Sequence, residues 1–201
     1  MQRYRPGTAL VVLDVQNDFA DPAGGLSVVG GDLIIPTLNR EIAMAINAGA
    51  LVVATQDWHP AITPHFAKDG GIWPVHCIAN TWGAALHPAL TIPDDAARVR
   101  KGVNGEDGYS GFTIRDPISD DTIATELEGL LRAAAIDNVI VCGLATDYCV
   151  KATALDAVRL GFDTSLLADA VAAVDMEPGD GTRALEEMQV AGVTMWRTVM
   201  R

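Results

Sequence analysis

Three runs in this chain are apolar with no alternation: TALVVLDV at residues 8–15, ALVVATQ at 50–56 and NVIVCGL at 138–144. A strand with one wet face alternates apolar and polar residues, whereas runs like these belong to strands buried on both faces. Such strands occur in parallel sheets covered by helices, and the intervening segments read accordingly. Residues 33–48 carry a helical pattern ended by Gly49, and residues 146–161 carry another ended by Gly161. Further helices are predicted over 123–135 and near 181–191, with further strands at ARVRKG (97–102), TSLLADAV (164–171) and VTMWRTVM (193–200). In ARVRKG the two-residue period sets Arg98 and Arg100 on one face and Val99 and Lys101 on the other, which marks a sheet edge. The pattern predicts an α/β fold with a parallel sheet and, in the absence of repeats or linkers, a single domain over residues 1–201. Sites in such folds lie beyond the carboxyl ends of the strands.

Charge and cysteine content exclude several classes. The formal net charge is −12 and no Lys/Arg cluster offsets it, so no nucleic-acid partner is expected. No apolar run approaches the ~20 residues that span a bilayer, so no membrane partner is expected either. The opening MQRYRPGTALVVLDV has basic residues before an apolar run, but Asp14 cuts the run short and no small-residue cleavage site follows. It reads as a first strand of a cytoplasmic protein. Cys77, Cys142 and Cys149 form an odd set without CxxC spacing, which argues against a disulfide framework.

The residues able to do chemistry sit where strands end. Asp14 leaves an apolar run, either to bond loop amides or to act in a site; Asp18 reads as a turn or cap residue. Lys101 ends the third strand and, taken alone, fits a solvated edge lysine as well as a catalytic one. KGVNGEDGYSGF is glycine-rich but lacks the GK[ST] ending of a phosphate loop. Cys149 follows the buried run NVIVCGL in the first turn of a predicted helix, where the positive helix end favours thiolate and backbone N–H groups lie near. A buried packing cysteine is the alternative, and it is the reading for Cys142.

Three of the four histidines, His59, His65 and His76, crowd one loop-rich stretch with Asp57. Asp57 and His59 are two apart at a strand end, so an extended backbone directs both to one side. An oxygen and three imidazoles, without thiolate, suit Zn²⁺, Mn²⁺ or Fe²⁺. Cys77 is left out of this set, and His87 reads as a loop histidine.

The stretches LDVQNDF, GGLSVVGGD, QDWHP…HF, WPVHC, GAALHP, KG…YSGF and GLATDYCVKATALDA run in order across most of the chain. Together they resemble the nicotinamidases (pyrazinamidases) of the isochorismatase-like cysteine hydrolases. The resemblance implies a three-layer αβα fold whose six-stranded parallel sheet has the order 3-2-1-4-5-6. It implies a catalytic triad of Asp14, Lys101 and Cys149, and one divalent metal ion (Zn, Fe or Mn) on Asp57, His59, His65 and His76. It also implies a cis peptide between Leu144 and Ala145, and an oxyanion hole from the amides of Ala145 and Cys149. The implied reaction is hydrolysis of nicotinamide to nicotinic acid and ammonia through a thioester, a step of NAD salvage, with pyrazinamide a further substrate. Ring contacts are expected from Phe19, Leu26, Trp73 and Tyr109, the last on a segment that varies among relatives. The resemblance leaves a homo-oligomer open. A sister amidase shares the triad but not the metal set, and a vinyl-ether-cleaving isochorismatase has no need of Cys149.

Overall fold

In the computed structural model, which describes residues 3–117 and 119–197, six parallel strands form the main sheet. β1 (Thr8–Leu13) and β6 (Asn138–Leu144) lie side by side at its centre. β2 (Leu51–Asp57) and β3 (Ala97–Lys101) extend one side, and β7 (Asp163–Ala172) and β8 (Thr194–Trp196) the other, giving the order β3-β2-β1-β6-β7-β8. The expected order 3-2-1-4-5-6 is renumbered because two short strands, β4 (Thr113–Arg115) and β5 (Thr122–Ala124), form an antiparallel hairpin outside the sheet. The edge position of β3 agrees with its arginine pattern: Arg98 and Arg100 are exposed, while Val99 and Lys101 are buried.

Side chains of β1 alternate between two cores, which is why its sequence is apolar throughout. After β1 comes a single turn, α1 (Asn17–Ala20), and then α2 (Ile35–Asn47) covers one face. There Leu10 and Val12 meet Ile140 and Cys142 of β6 and Leu38 and Ile42 of α2. The buried positions of α2, Ile35, Leu38, Ile42 and Ala45, recur at helical spacing. On the other face Ala9, Val11 and Leu13 meet α3 (Leu127–Ala133), α4 (Lys151–Arg159) and α5 (Asp180–Val190) through Leu127, Leu131, Ala154, Ala157 and Met188. Each fully buried leucine stabilises this arrangement by roughly 2 kcal/mol. The result is three layers, helix–sheet–helix.

Two expectations about elements are corrected. The helix expected over 123–135 starts at Leu127, because Thr122–Ala124 pairs with Thr113–Arg115 instead. Thr125 sets the boundary: its hydroxyl donates to Gly111 O at 2.5 Å and its Oγ1 accepts from Leu127 N–H at 3.1 Å. A threonine oxygen taking a free amide at a helix start competes with helix propagation upstream of it. The strand expected over 193–200 is seen as Thr194–Trp196; residues 198–200 lie outside the described residues. Among the described residues no helix is long and apolar enough to cross a membrane.

Candidate active site

Four strands deliver the polar residues to one end of the sheet. Asp14 directly follows β1, and its positive φ of 49° turns the chain away. Register pairs Asp57, the last residue of β2, with Lys101, the last of β3. Next to them β6 ends at Leu144, and the Leu144–Ala145 peptide is cis. Gly143 is needed for that approach: its φ is 110°, and an added Cβ would lie 2.2 Å from Leu13 O.

Cys149 lies in a π-helical turn, Thr146–Val150, that leads into α4. The thiol, Asp14 and Asp57 present ligand-type atoms within 4.8 Å of one another, and Lys101 stands among them. Its ammonium forms an ion pair with Asp14 Oδ2 at 3.0 Å, donates to Asp57, and lies 3.6 Å from Cys149 Sγ. Three donors thus face three partners, which suits a buried ammonium and leaves no room among them for a metal cation. Thr55 donates to Asp14 Oδ1 at 2.6 Å, whereas Oδ2 faces the Lys101 ammonium.

The charges follow from burial and neighbours. Burial pulls the Lys101 amine down, but Asp14 and Asp57 outweigh it and hold the ammonium well above its ordinary range. Burial pushes the Asp57 carboxyl up, yet Lys101 and His59 bring it below the ordinary carboxylate range. For Asp14 burial prevails over Lys101, and the carboxyl is raised. Burial also pushes the Cys149 thiol well above its ordinary value, against the Lys101 charge. Burial thus works against the resting thiolate expected from a helix start.

His59, His65 and His76 converge beside this group, with ring centroids 4.6–5.3 Å apart and ligand-type atoms within 4.8 Å. Asp57 Oδ2 faces the Nε2 atoms of His59 and His76 at 3.8 and 3.9 Å. Two Nδ1 atoms are engaged: that of His76 with Pro74 O at 2.7 Å, and that of His65 with Asp107 Oδ1 at 2.8 Å. Both ring nitrogens of His59 are buried without a partner. Burial lowers His76 to about 4, so its lone pair is free at neutral pH. A shared divalent cation fits these residues: held by them it would relieve the buried, unpartnered His59 imidazole, which otherwise costs roughly 1–3 kcal/mol.

Both groups border one pocket, through Asp57 and Cys149 on one side and His65 and His76 on the other. All four expected ring contacts, Phe19, Leu26, Trp73 and Tyr109, line it, as do Ala145 and Cys149. The aromatic walls also touch the histidines, Phe19 against His76 (5.3 Å) and Trp73 against His65 (6.5 Å). Sequence reasoning missed Tyr148, which completes an edge-to-face wall with Trp73 and Tyr109 at 4.9 and 5.1 Å. It also missed Gln16, whose amide brackets the backbone of Asp57, donating to its O at 2.7 Å and accepting from its N–H at 2.8 Å. Asp107 was missed as well. Asp18 is a loop brace, accepting from Gly25 and Cys77 N–H at 2.9 and 2.7 Å. Cys77 packs in the core, and His87 Nδ1 accepts from Ala89 N–H within its loop at 3.2 Å.

Known proteins are similar to this chain in sequence and in fold. The isochorismatase domain family matches residues 8–198. A nicotinamidase of Escherichia coli strain K12 is 39% identical, the match covering 95% of each chain. The crystal structure of the pyrazinamidase of Pyrococcus horikoshii in complex with zinc is 42% identical with a TM-score of 0.86, covering 96% of this chain and 100% of that one. The structure of PnC1 from L. infantum in complex with nicotinate is 35% identical with a TM-score of 0.88, covering 98% and 96%. Fold, site and match over nearly the whole length agree: the chain belongs to the isochorismatase family.

Proposed function

We propose that this protein is a metal-containing nicotinamidase: a cysteine amidohydrolase that converts nicotinamide to nicotinic acid and ammonia, and also accepts pyrazinamide. The observation that carries this is that Cys149, with Asp14 and Lys101 packed behind it, and the histidine cluster, through His65 and His76, open on one aromatic-walled pocket. The nicotinamidase and pyrazinamidase relatives support the choice of substrate.

In this reading Asp14 Oδ2 takes the Cys149 proton as sulfur attacks the carboxamide carbon. The thiol, kept neutral by burial, ionises only as it reacts. Lys101 stays an ammonium, offsetting the charge that develops on sulfur and holding Asp14 and Asp57 in place. The oxyanion rests on the amides of Ala145 and Cys149, each such donor being worth about 3 kcal/mol. Asp14 returns its proton to the amide nitrogen, the C–N bond breaks, and ammonia leaves. A water then gives a proton to Asp14 and adds to the thioester; the C–S bond breaks and sulfur recovers the proton from Asp14.

Asp57, His59, His65 and His76 would hold the divalent ion, which when bound supplies a Lewis acid for a pyridine ring nitrogen. Phe19, Trp73 and Leu26 flank the ring; Tyr109 and Tyr148 close the pocket behind it. Zinc is the ion favoured here, supported by the zinc complex of the Pyrococcus horikoshii pyrazinamidase. Residues 1–201 act as one domain in this reading, and a cytoplasmic location accords with three free cysteines. The test is ammonia release from nicotinamide by purified protein, with metal content measured on the same sample. Turnover of nicotinamide with about one bound divalent ion per chain is expected. Hydrolysis of other small amides with none of nicotinamide would overturn the substrate.

A further inference from the structure

The inference concerns Asp107 and rests on the reading of the histidine cluster as a metal site. An imidazole that binds metal through Nε2 is fixed in ring orientation and tautomer by whatever accepts its Nδ1 proton. His76 has a neutral acceptor, Pro74 O. For His65 the acceptor is a carboxylate, Asp107 Oδ1 at 2.8 Å.

Asp107 is itself held from several directions. Gly108 N–H donates to Oδ1 at 2.8 Å, and Arg115 Nη2 donates to Oδ2 at 3.3 Å. Its backbone exchanges two hydrogen bonds with Arg115, Asp107 N–H to Arg115 O at 2.8 Å and Arg115 N–H to Asp107 O at 2.5 Å. Arg115 ends β4 and pairs with Asp120 at 2.9 Å across the turn to β5. The β4–β5 hairpin therefore holds, through its bridge to Arg115, a carboxylate of the preceding loop against His65.

An ordinary surface ion pair would give a different picture. Exposed pairs contribute ~0–1 kcal/mol, and the half-exposed Arg115 alone could partner Asp107. Instead the tighter contact goes to the buried imidazole, at 2.8 Å against 3.3 Å for the guanidinium.

We propose that Asp107 is a positioning residue for the metal centre: it keeps the His65 Nδ1 proton in place so that Nε2 faces the ion, and the β4–β5 hairpin is the brace that holds it there. A carboxylate in this position also makes the imidazole a better donor to a divalent cation than a carbonyl would.

The experiment measures Zn²⁺ affinity of the full chain by competition with a chromophoric chelator, for the unsubstituted protein and for Asp107→Asn, Asp107→Ala, Arg115→Gln and His65→Ala. Asn is isosteric and keeps the bond from Gly108, so this variant should fold. Asp107→Ala is expected to bind zinc roughly 10–100-fold more weakly, and Asp107→Asn, whose amide oxygen can still accept from His65, to lose less. Arg115→Gln, which leaves the His65 contact intact, should stay within about threefold. Unchanged affinity in Asp107→Asn and Asp107→Ala, with His65→Ala still losing zinc, overturns the proposal and spares the metal reading. A loss in Arg115→Gln equal to that in Asp107→Ala also overturns it, assigning the effect to the Arg115–Asp107 ion pair and not to the His65 contact. Zinc affinity insensitive to His65→Ala overturns the metal reading and the proposal together.

Discussion

At Cys149 desolvation and a neighbouring cation oppose each other, and desolvation prevails. A thiol raised above its ordinary 9.0 stays protonated at neutral pH, so its thiolate fraction rises with pH well past that value. Alkylation of Cys149 by iodoacetamide should therefore accelerate steadily up to pH 9 and show no plateau near 7; a plateau there would identify a resting thiolate. Cys149→Ala should abolish turnover and leave no acyl-enzyme detectable by mass spectrometry, while barely altering the fold. Lys101 sits differently. Replacing it by Met strands two buried carboxylates, and losing one member of a buried ionic group costs about 3–5 kcal/mol. For a chain of this size that is a fall in thermal midpoint of roughly 6–20 °C, measurable by calorimetry.

Elements place these residues, and how far each was legible in the sequence depends on the range of the interactions that fix it. The strands of the sheet were readable because burial on both faces writes itself into every residue of TALVVL and NVIVCGL. The face of Lys101 followed from the period of ARVRK. The β4–β5 hairpin was not legible. Its strands are three residues each, one of them fully exposed, and no apolar face is buried to leave a pattern. Asp14, Asp57, His59, Lys101 and Cys149 were legible as residue types at or just after strand ends, His65 and His76 as histidines of the loop beyond, and the family resemblance supplied the roles proposed for them. Gln16, Tyr148 and Asp107 were not, because each acts through contacts with residues far along the chain. Gly102 belongs to the same class. Its φ is 74°, and a Cβ there would lie 2.5 Å from the His59 ring. Gly102→Ala should push His59 aside and weaken zinc binding at least tenfold, as chelator competition would show; unchanged affinity would mean that the ring can yield without losing the ion.

For the molecule as a whole, the buried His59 ring, with neither nitrogen partnered, makes the metal-free protein less stable than the metal-bound one. A ligand bound only by the folded state, at 100 times its Kd, adds about 2.7 kcal/mol. Chelation should lower the thermal midpoint by roughly 5–10 °C, and zinc should restore it. An unmoved midpoint would show that the histidines need no ion to be stable together.

Lys101 grips Asp57 on the metal side and Asp14 on the nucleophile side with a single nitrogen. The two halves of the pocket consequently have no separate electrostatics. Removing the Asp57 charge as Asp57→Asn should alter the alkylation rate of Cys149 even in metal-free protein, and the effects of Asp57→Asn and Asp14→Asn should fail to add. Any redesign of one half has to be balanced by a change in the other.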